Sequence, residues 1–241
     1  MTTILVPYHL DEQLTHLDLP ADRTVRTPLP DGDAWSRMAA LYDSVADAVR
    51  EAVRDGSTPT VASGDCTTSL GTMAGLQRAG IDPGIVWFDA HGDVQTLETT
   101  TSGYLGGMPL RLLVGYGRRL IADRLGLRDV PEERVVLVDA RDLDPPEVEY
   151  LETAAIRRTP VAGLTADALP DGPLYLHLDV DVVDPDELPG LLIPAPDGPS
   201  FAAVIEAVRR VLATGRVVAF GLACTWRPEH NHADRFRPLF P

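Results

Sequence analysis

The sequence predicts a three-layer α/β domain built on a mostly parallel sheet. Strand-length apolar runs recur along the chain, amphipathic helical stretches separate them, and no repeat, low-complexity tract or shift of composition marks a second domain. Strands that alternate with helices pair in parallel, and their helices cover both faces of the sheet. The 241 residues, 44% apolar and 24% charged, have the balance of one soluble globular unit, so a single domain is expected over residues 1–241.

The first strand-like run is 4–6, and an acidic loop face follows over 11–22, with a proline-rich loop over 20–30. Residues 35–53 then place Met38, Ala39, Leu41, Tyr42, Val45, Ala46, Val49 and Val53 at helical spacing. Asp31-Gly32-Asp33 supplies the capping segment of that helix, and Asp55-Gly56 ends it. The second strand, 60–62, runs into Ser63-Gly64-Asp65-Cys66, with a helix expected over 69–79. The third, 85–88, runs into Asp89-Ala90-His91-Gly92-Asp93, ahead of a helix over 109–125. A strand at 135–138 leads to a helix over 146–158. The strand 174–178 ends in Asp179-Val180-Asp181-Val182-Val183-Asp184, with a proline-rich loop over 185–199 directly behind it. A helix over 199–213 and a strand over 217–224 complete the set.

Ligands of an open parallel sheet sit beyond the carboxyl ends of its strands. Three strands here end in polar clusters, and those ends are expected to converge on one site. Asp89, His91 and Asp93 alternate, so an extended segment would point all three the same way; His177, Asp179 and Asp181 repeat the pattern. Carboxylates gathered so densely repel one another unless a cation neutralises them. Four carboxylates and an imidazole suit a divalent ion such as Mn²⁺. One such segment would read as solvated turn aspartates; two, each behind an apolar strand, favour a metal.

The rest of the composition narrows the function. A net charge of −15 excludes nucleic acid as a partner, since phosphate binding needs a basic surface. No apolar run nears the ~20 residues of a membrane span, and the N-terminus has no basic region or long apolar stretch of a secretory signal, so a cytoplasmic protein with no membrane partner is expected. All 21 basic residues are arginines, a mark of genome composition. Cys66 and Cys224 make no disulfide framework in a chain of this size.

These segments resemble the ureohydrolase (arginase/agmatinase) superfamily. Asp89-Ala-His-Gly-Asp93 is similar to its Asp-Ala-His-x-Asp signature, and Asp179-Val-Asp-Val-Val-Asp-Pro185 to its Asp-x-Asp-x-x-Asp-Pro signature. Ser63-Gly-Asp-Cys-Thr-Thr-Ser-Leu-Gly71 resembles the Gly-Gly-Asp-His-Ser segment, the stretch from Thr99 to Pro109 the substrate loop, and Arg141-Asp-Leu-Asp-Pro145 a further substrate-side segment. The matches keep family order from about residue 60 to 195. The resemblance implies the arginase/deacetylase-like αβα fold and a metal-dependent hydrolase that cleaves a linear C–N bond of a small guanidino compound. It further implies two Mn²⁺ ions, with Asp89 and Asp179 bridging, His91 and Asp181 completing one shell, and Asp93 and Cys66 the other. A water activated between the ions would attack the guanidinium-like carbon. Gln95, Ser102, Tyr104 and Asp144 are the implied substrate-binding residues, Asp93 and His177 the candidates for a direct catalytic part, and a homo-oligomer the implied assembly.

Departures from the family pattern sharpen the reading. Cys66 stands where the family has a metal-binding His; a thiolate favours Zn²⁺ or Fe²⁺ over Mn²⁺, and the alternative is a single ion on Asp89, His91 and Asp181. His177 replaces a small residue and is either a support for its neighbours or a plain buried His. Gly106 falls where arginases place a proton-shuttling His. Thr225-Trp-Arg-Pro228 replaces the Glu-containing segment that holds the guanidinium, with Thr225 or Trp226 at the Glu position. Cys66, His177 and Gly103-Tyr-Leu-Gly-Gly107 together resemble the N-hydroxyarginine amidinohydrolase branch, whose less basic substrate needs less anionic help. Two rivals remain: a catalytically impaired member kept for binding or assembly, and a mononuclear amide hydrolase. His9, His16, His230 and His232 carry no spacing signal.

Overall fold

Eight parallel strands make the central sheet of the computed structural model, which describes residues 1–239. In chain order the elements begin with β1 (Thr2–Val6), the small antiparallel hairpin β2 (Tyr8–His9) and β3 (Glu12–Gln13), β4 (Arg23–Thr24), α1 (Ala34–Arg54), β5 (Pro59–Ser63) and α2 (Ser69–Arg78). Next come β6 (Gly84–Asp89), α3 (Pro109–Leu113), α4 (Ala122–Leu125), β7 (Val135–Asp139), α5 (Pro145–Thr153) and β8 (Arg157–Thr159). Finally come β9 (Leu174–Asp179), α6 (Phe201–Leu212), β10 (Val217–Ala223) and α7 (Ala233–Phe236). The sheet order is β4-β1-β5-β10-β9-β6-β7-β8.

Alternation along the strands divides the core into two layers. Ile85 and Trp87 of β6 face Leu41, Val45 and Val49 of α1 and Leu70, Met73 and Leu76 of α2. Val86 and Phe88 face the other way, against Val204, Val208 and Val211 of α6. The helices therefore lie on both faces, as expected. Helix α1 opens on Asp33, whose carboxylate accepts from Ser36 N at 2.7 Å. Two glycines let α2 press onto it: a Cβ at Gly75 would stand 2.6 Å from the Ala46 carbonyl oxygen, and one at Gly71 2.8 Å from that of Tyr42.

Three stretches differ from expectation. The helix expected over 109–125 is two short pieces, because Gly115 (φ 111°) and Gly117 (φ 55°) leave the right-handed region between them. The helix expected over 146–158 stops at Thr153. Ala154 turns extended and Ala155 N donates to Glu132 Oε2 at 2.9 Å, freeing 157–159 to pair with β7 as the edge strand β8. Within the loop expected at 20–30, Arg23 and Thr24 form the opposite edge against β1.

Register brings the business ends of the middle strands to one level. Ser63 pairs with Ala223, Ala223 with Asp179, and Phe88 with Leu178, so Asp89 stands level with Asp179. Among the described residues no helix is long and apolar enough to cross a membrane.

Candidate metal centre

Beyond that level one cleft is lined by Cys66, Asp89, His91, Asp93, Asp179 and Asp181, with Gln95, Ser102, Tyr104 and Asp144 at its sides. The sequence patterns reach these side chains, but by a different local geometry. The extended run stops at Asp89; Asp93 arrives through a left-handed backbone (φ 54°), and Asp181 sits in a tight turn over Val180–Val182. Backbone bonds set that turn: Asp181 N donates to Asp179 Oδ1 at 2.9 Å, and His91 N to Asp89 Oδ1 at 2.7 Å. A second brace comes from the segment after β7, where Ala140 N and Asp142 N donate to the carbonyls of Asp89 and Ala90.

Two donor sets form, and they share Asp89. Ligand atoms of Cys66, Asp89 and Asp93 lie within 4.8 Å of one another, and so do those of Asp89, His91 and Asp181. His91 Nδ1 is 3.2 Å from Asp181 Oδ2 and 3.3 Å from Asp89 Oδ1. Burial opposes a charged imidazole, yet the carboxylates of Asp181 and Asp89 push His91 up to about 12. Burial first, then the neighbouring carboxylates, raise Asp93 and Asp179 well above the ordinary range, and Asp181 to about 6. Asp89 is held low against its burial by His91. Asp93 Oδ2 and His91 Nε2 are buried without a hydrogen-bond partner. Crowded carboxylates, an orphaned oxygen and an imidazole turned towards them fit divalent cations, with the thiol on one side only.

Behind the cleft lies a buried assembly centred on Cys66. Its Sγ is 2.9 Å from Asp179 Oδ2, to which the thiol donates, and 3.2 Å from His177 Nε2. Burial and then Asp179 push the thiol up. His177 Nδ1 meets Ser69 Oγ at 3.1 Å and Tyr175 OH at 3.3 Å, and its ring stacks on Trp87 at 3.7 Å between centroids. Burial drives His177 down to about 3, so the imidazole is neutral. Trp87 Nε1 in turn donates to Asp89 Oδ2 at 3.1 Å. His177 is absent from the cleft lining: it backs Cys66 from the core side.

The rim is tied together as a unit. Gln95 Nε2 donates to Asp144 Oδ2 at 2.8 Å, and Gln95 Oε1 accepts from Thr99 Oγ1 at 2.7 Å. Ser102 Oγ accepts from Tyr104 N at 3.2 Å. Two lining residues, Glu147 and Ile193, escaped the sequence reading. Glu147 is buried and accepts from Val94 N at 3.2 Å and Asp144 N at 3.1 Å; burial raises it. Its spacing of three from Asp144 at a helix start was the available signal. Ile193 lies in a loop that gives no pattern, while Thr100 belongs to the stretch likened to the substrate loop without being singled out there. Of the two residues competing for the position after β10, Thr225 takes the cleft and donates Oγ1 to Asp179 Oδ1 at 2.6 Å. Trp226 turns into the core against Phe236.

Comparison with known proteins identifies the family. The model of the arginase family matches residues 7–233. An arginase of Bacillus subtilis is 33% identical over 215 residues, covering 80% of this chain and 72% of that protein. An N(omega)-hydroxy-L-arginine amidinohydrolase of Streptomyces lavendulae is 34% identical over 208 residues, covering 83% and 74%. Among solved structures, the arginase of Bacillus caldovelox superposes with a TM-score of 0.81 at 24% identity, over 96% of this chain and 93% of that one, a likeness of fold.

Proposed function

The chain belongs to the arginase family, and from that premise we propose that it is a metal-dependent amidinohydrolase whose substrate is a small guanidino compound, an N-hydroxyguanidine by preference. The observation that carries this reading is the pair of donor sets sharing Asp89 at the carboxyl end of the sheet. Asp89, His91 and Asp181 would hold one divalent ion, and Cys66, Asp89 and Asp93 a second, with Asp179 of the same cleft adding a further carboxylate. Such ions supply Lewis acidity and make a water nucleophilic near neutral pH. Manganese suits the first set; the thiol tilts the second towards Zn²⁺ or Fe²⁺.

The protein's own groups divide the remaining work. Trp87 and Thr225 hold Asp89 and Asp179 by hydrogen bonds, fixing the carboxylates before substrate arrives. Asp93 would take a proton from the attacking water through the carboxylate oxygen that does not hold an ion. His177, shut out of the cleft, works through Cys66. Gln95, Asp144 and Ser102 form the polar end that reads the substrate away from the reacting carbon. Thr225 offers a hydroxyl where a cationic guanidinium would need a buried counter-charge. An N-hydroxyguanidine is less basic and loses less by its absence, and the Streptomyces relative bears the name of such an activity. A cytoplasmic homo-oligomer completes the reading.

One observation favours a second version, with a single ion: the Cys66 thiol already donates to Asp179. Elemental analysis of the purified protein and of Asp181→Ala separates them. Two ions per chain, falling to one or none in the variant, together with release of urea or hydroxyurea from guanidines or hydroxyguanidines, is the expected result. One ion supports the mononuclear version and amide substrates. No ion after reconstitution with Mn²⁺, Zn²⁺ and Fe²⁺ would sink the hydrolase.

A further inference from the structure

The small hairpin β2–β3 lies ahead of the motif-bearing segments at residues 60–195, yet its His9 touches Tyr104 of the cleft lining. It docks on the loop after β5 by three bonds. Gly64 N donates to the Tyr8 carbonyl at 2.9 Å, Leu10 N to Asp65 Oδ2 at 2.6 Å, and His9 Nδ1 lies 3.1 Å from the Gly64 carbonyl. The seat admits only glycine at 64, where a Cβ would stand 2.5 Å from the Tyr8 carbonyl oxygen. His9 is thereby laid alongside Tyr104, the two rings near-parallel (18°) with centroids 5.7 Å apart and Nε2 3.0 Å from the Tyr104 hydroxyl.

Hydrogen-bond polarity follows from elementary chemistry. A carbonyl oxygen only accepts, so His9 Nδ1 carries the proton in that bond, and in the neutral ring Nε2 carries the lone pair. The Tyr104 hydroxyl must then donate its one proton to Nε2. Tyr104 lines the cleft beside Cys66, Asp93 and Asp179, and a Cβ at Gly106 would stand 2.2 Å from its ring, so the glycine leaves the space that the ring fills. With its proton turned back to His9, the phenol presents only lone pairs to the cleft. A phenol keeps its proton near neutral pH, so the group is uncharged.

We propose that His9 is a positioning residue that fixes Tyr104 as a neutral hydrogen-bond acceptor for an N–H or N–O–H group of the substrate. The proposal rests on the hydrolase reading only for what occupies the cleft. It gives the site a partner for donor-bearing, weakly basic substrates where no buried anion is offered at Thr225.

Two measurements test it. The first needs no substrate: ¹⁵N–¹H correlation of His9 at pH 8 should show a protonated Nδ1 and a bare Nε2, and the opposite tautomer overturns the proposal. The second compares His9→Leu, His9→Gln and Tyr104→Phe with an N-hydroxyguanidine substrate. Loss of one neutral hydrogen bond predicts a KM raised about fivefold in His9→Leu with kcat little changed. Gln, which can place an acceptor at the Nε2 position, should recover KM to within about twofold of wild type. His9→Leu should add nothing in the Tyr104→Phe background. Equal effects of Leu in both backgrounds, or no rescue by Gln, would show His9 to be merely structural. A chain that turned nothing over would sink the hydrolase reading, and the tautomer would still decide this one.

Discussion

At Cys66 the side chain is bracketed by an acid in front and a neutral base behind, and neither neighbour is close in sequence: Asp179 and His177 stand 113 and 111 residues away. The motif spacings named the ligand candidates, because strand ends followed by aspartates leave a pattern. They were silent on Thr225 against Trp226, a choice set by which side chain the turn after β10 sends into the core. They were silent too on His9, whose role depends on a hairpin docking 55 residues away. His177 yields a pH prediction. Its folded value of about 3 lies below the ordinary 6.5, so the unfolded chain binds the extra proton and stability falls as pH drops below about 6.5. At pH 5 this amounts to about 2 kcal/mol. Urea unfolding at pH 7 and pH 5 should show a loss smaller by that amount in His177→Gln than in wild type; equal losses would assign the acid sensitivity elsewhere.

The elements hold the site through a few contacts of high consequence. Arg141, just past β7, donates to the Ala195 carbonyl at 2.7 Å, the Pro196 carbonyl at 3.0 Å and the Val182 carbonyl at 3.1 Å, and pairs with Asp139. It clamps both ends of the proline-rich loop to the sheet. Arg141→Ala should lower stability by about 3 kcal/mol, leaving Asp139 half-buried and unpaired. Amide exchange should quicken across 182–197 and not in α1; uniform quickening would argue against a local clamp. The α1–α2 contact is as demanding. Gly75→Ala forces a methyl to within 2.6 Å of the Ala46 carbonyl oxygen, so a loss of about 2 kcal/mol is expected. An unchanged melting temperature would mean the helices can part cheaply. Hydrophobic periodicity located both helices, since a buried stripe is a local property. It overran at 109–125 and 146–158, where positive-φ glycines and a pairing edge strand decide the path.

For the whole molecule, strand alternation and family order sufficed to give the sheet and its cleft, while the edge strands β4 and β8, two and three residues long, were too short to register. Because the crowded carboxylates offer ligands that only the folded chain brings together, divalent ions should stabilise the entire fold by linkage. At about 100 times Kd the gain is about 2.7 kcal/mol per ion, which would raise the melting temperature by several degrees and should shrink in Asp181→Ala. A flat melting curve with added Mn²⁺ and Zn²⁺ would show that the cluster tolerates its charge unaided. The strand order has a consequence for synthesis. β10, the last of the described strands in chain order, lies inside the sheet between β5 and β9. Until residue 223 leaves the ribosome, the nascent chain holds two half-sheets with open inner edges, each a template for pairing with a stranger. The growing polypeptide therefore needs shelter until β10 arrives, and chains halted before Val217 should collect in the insoluble fraction.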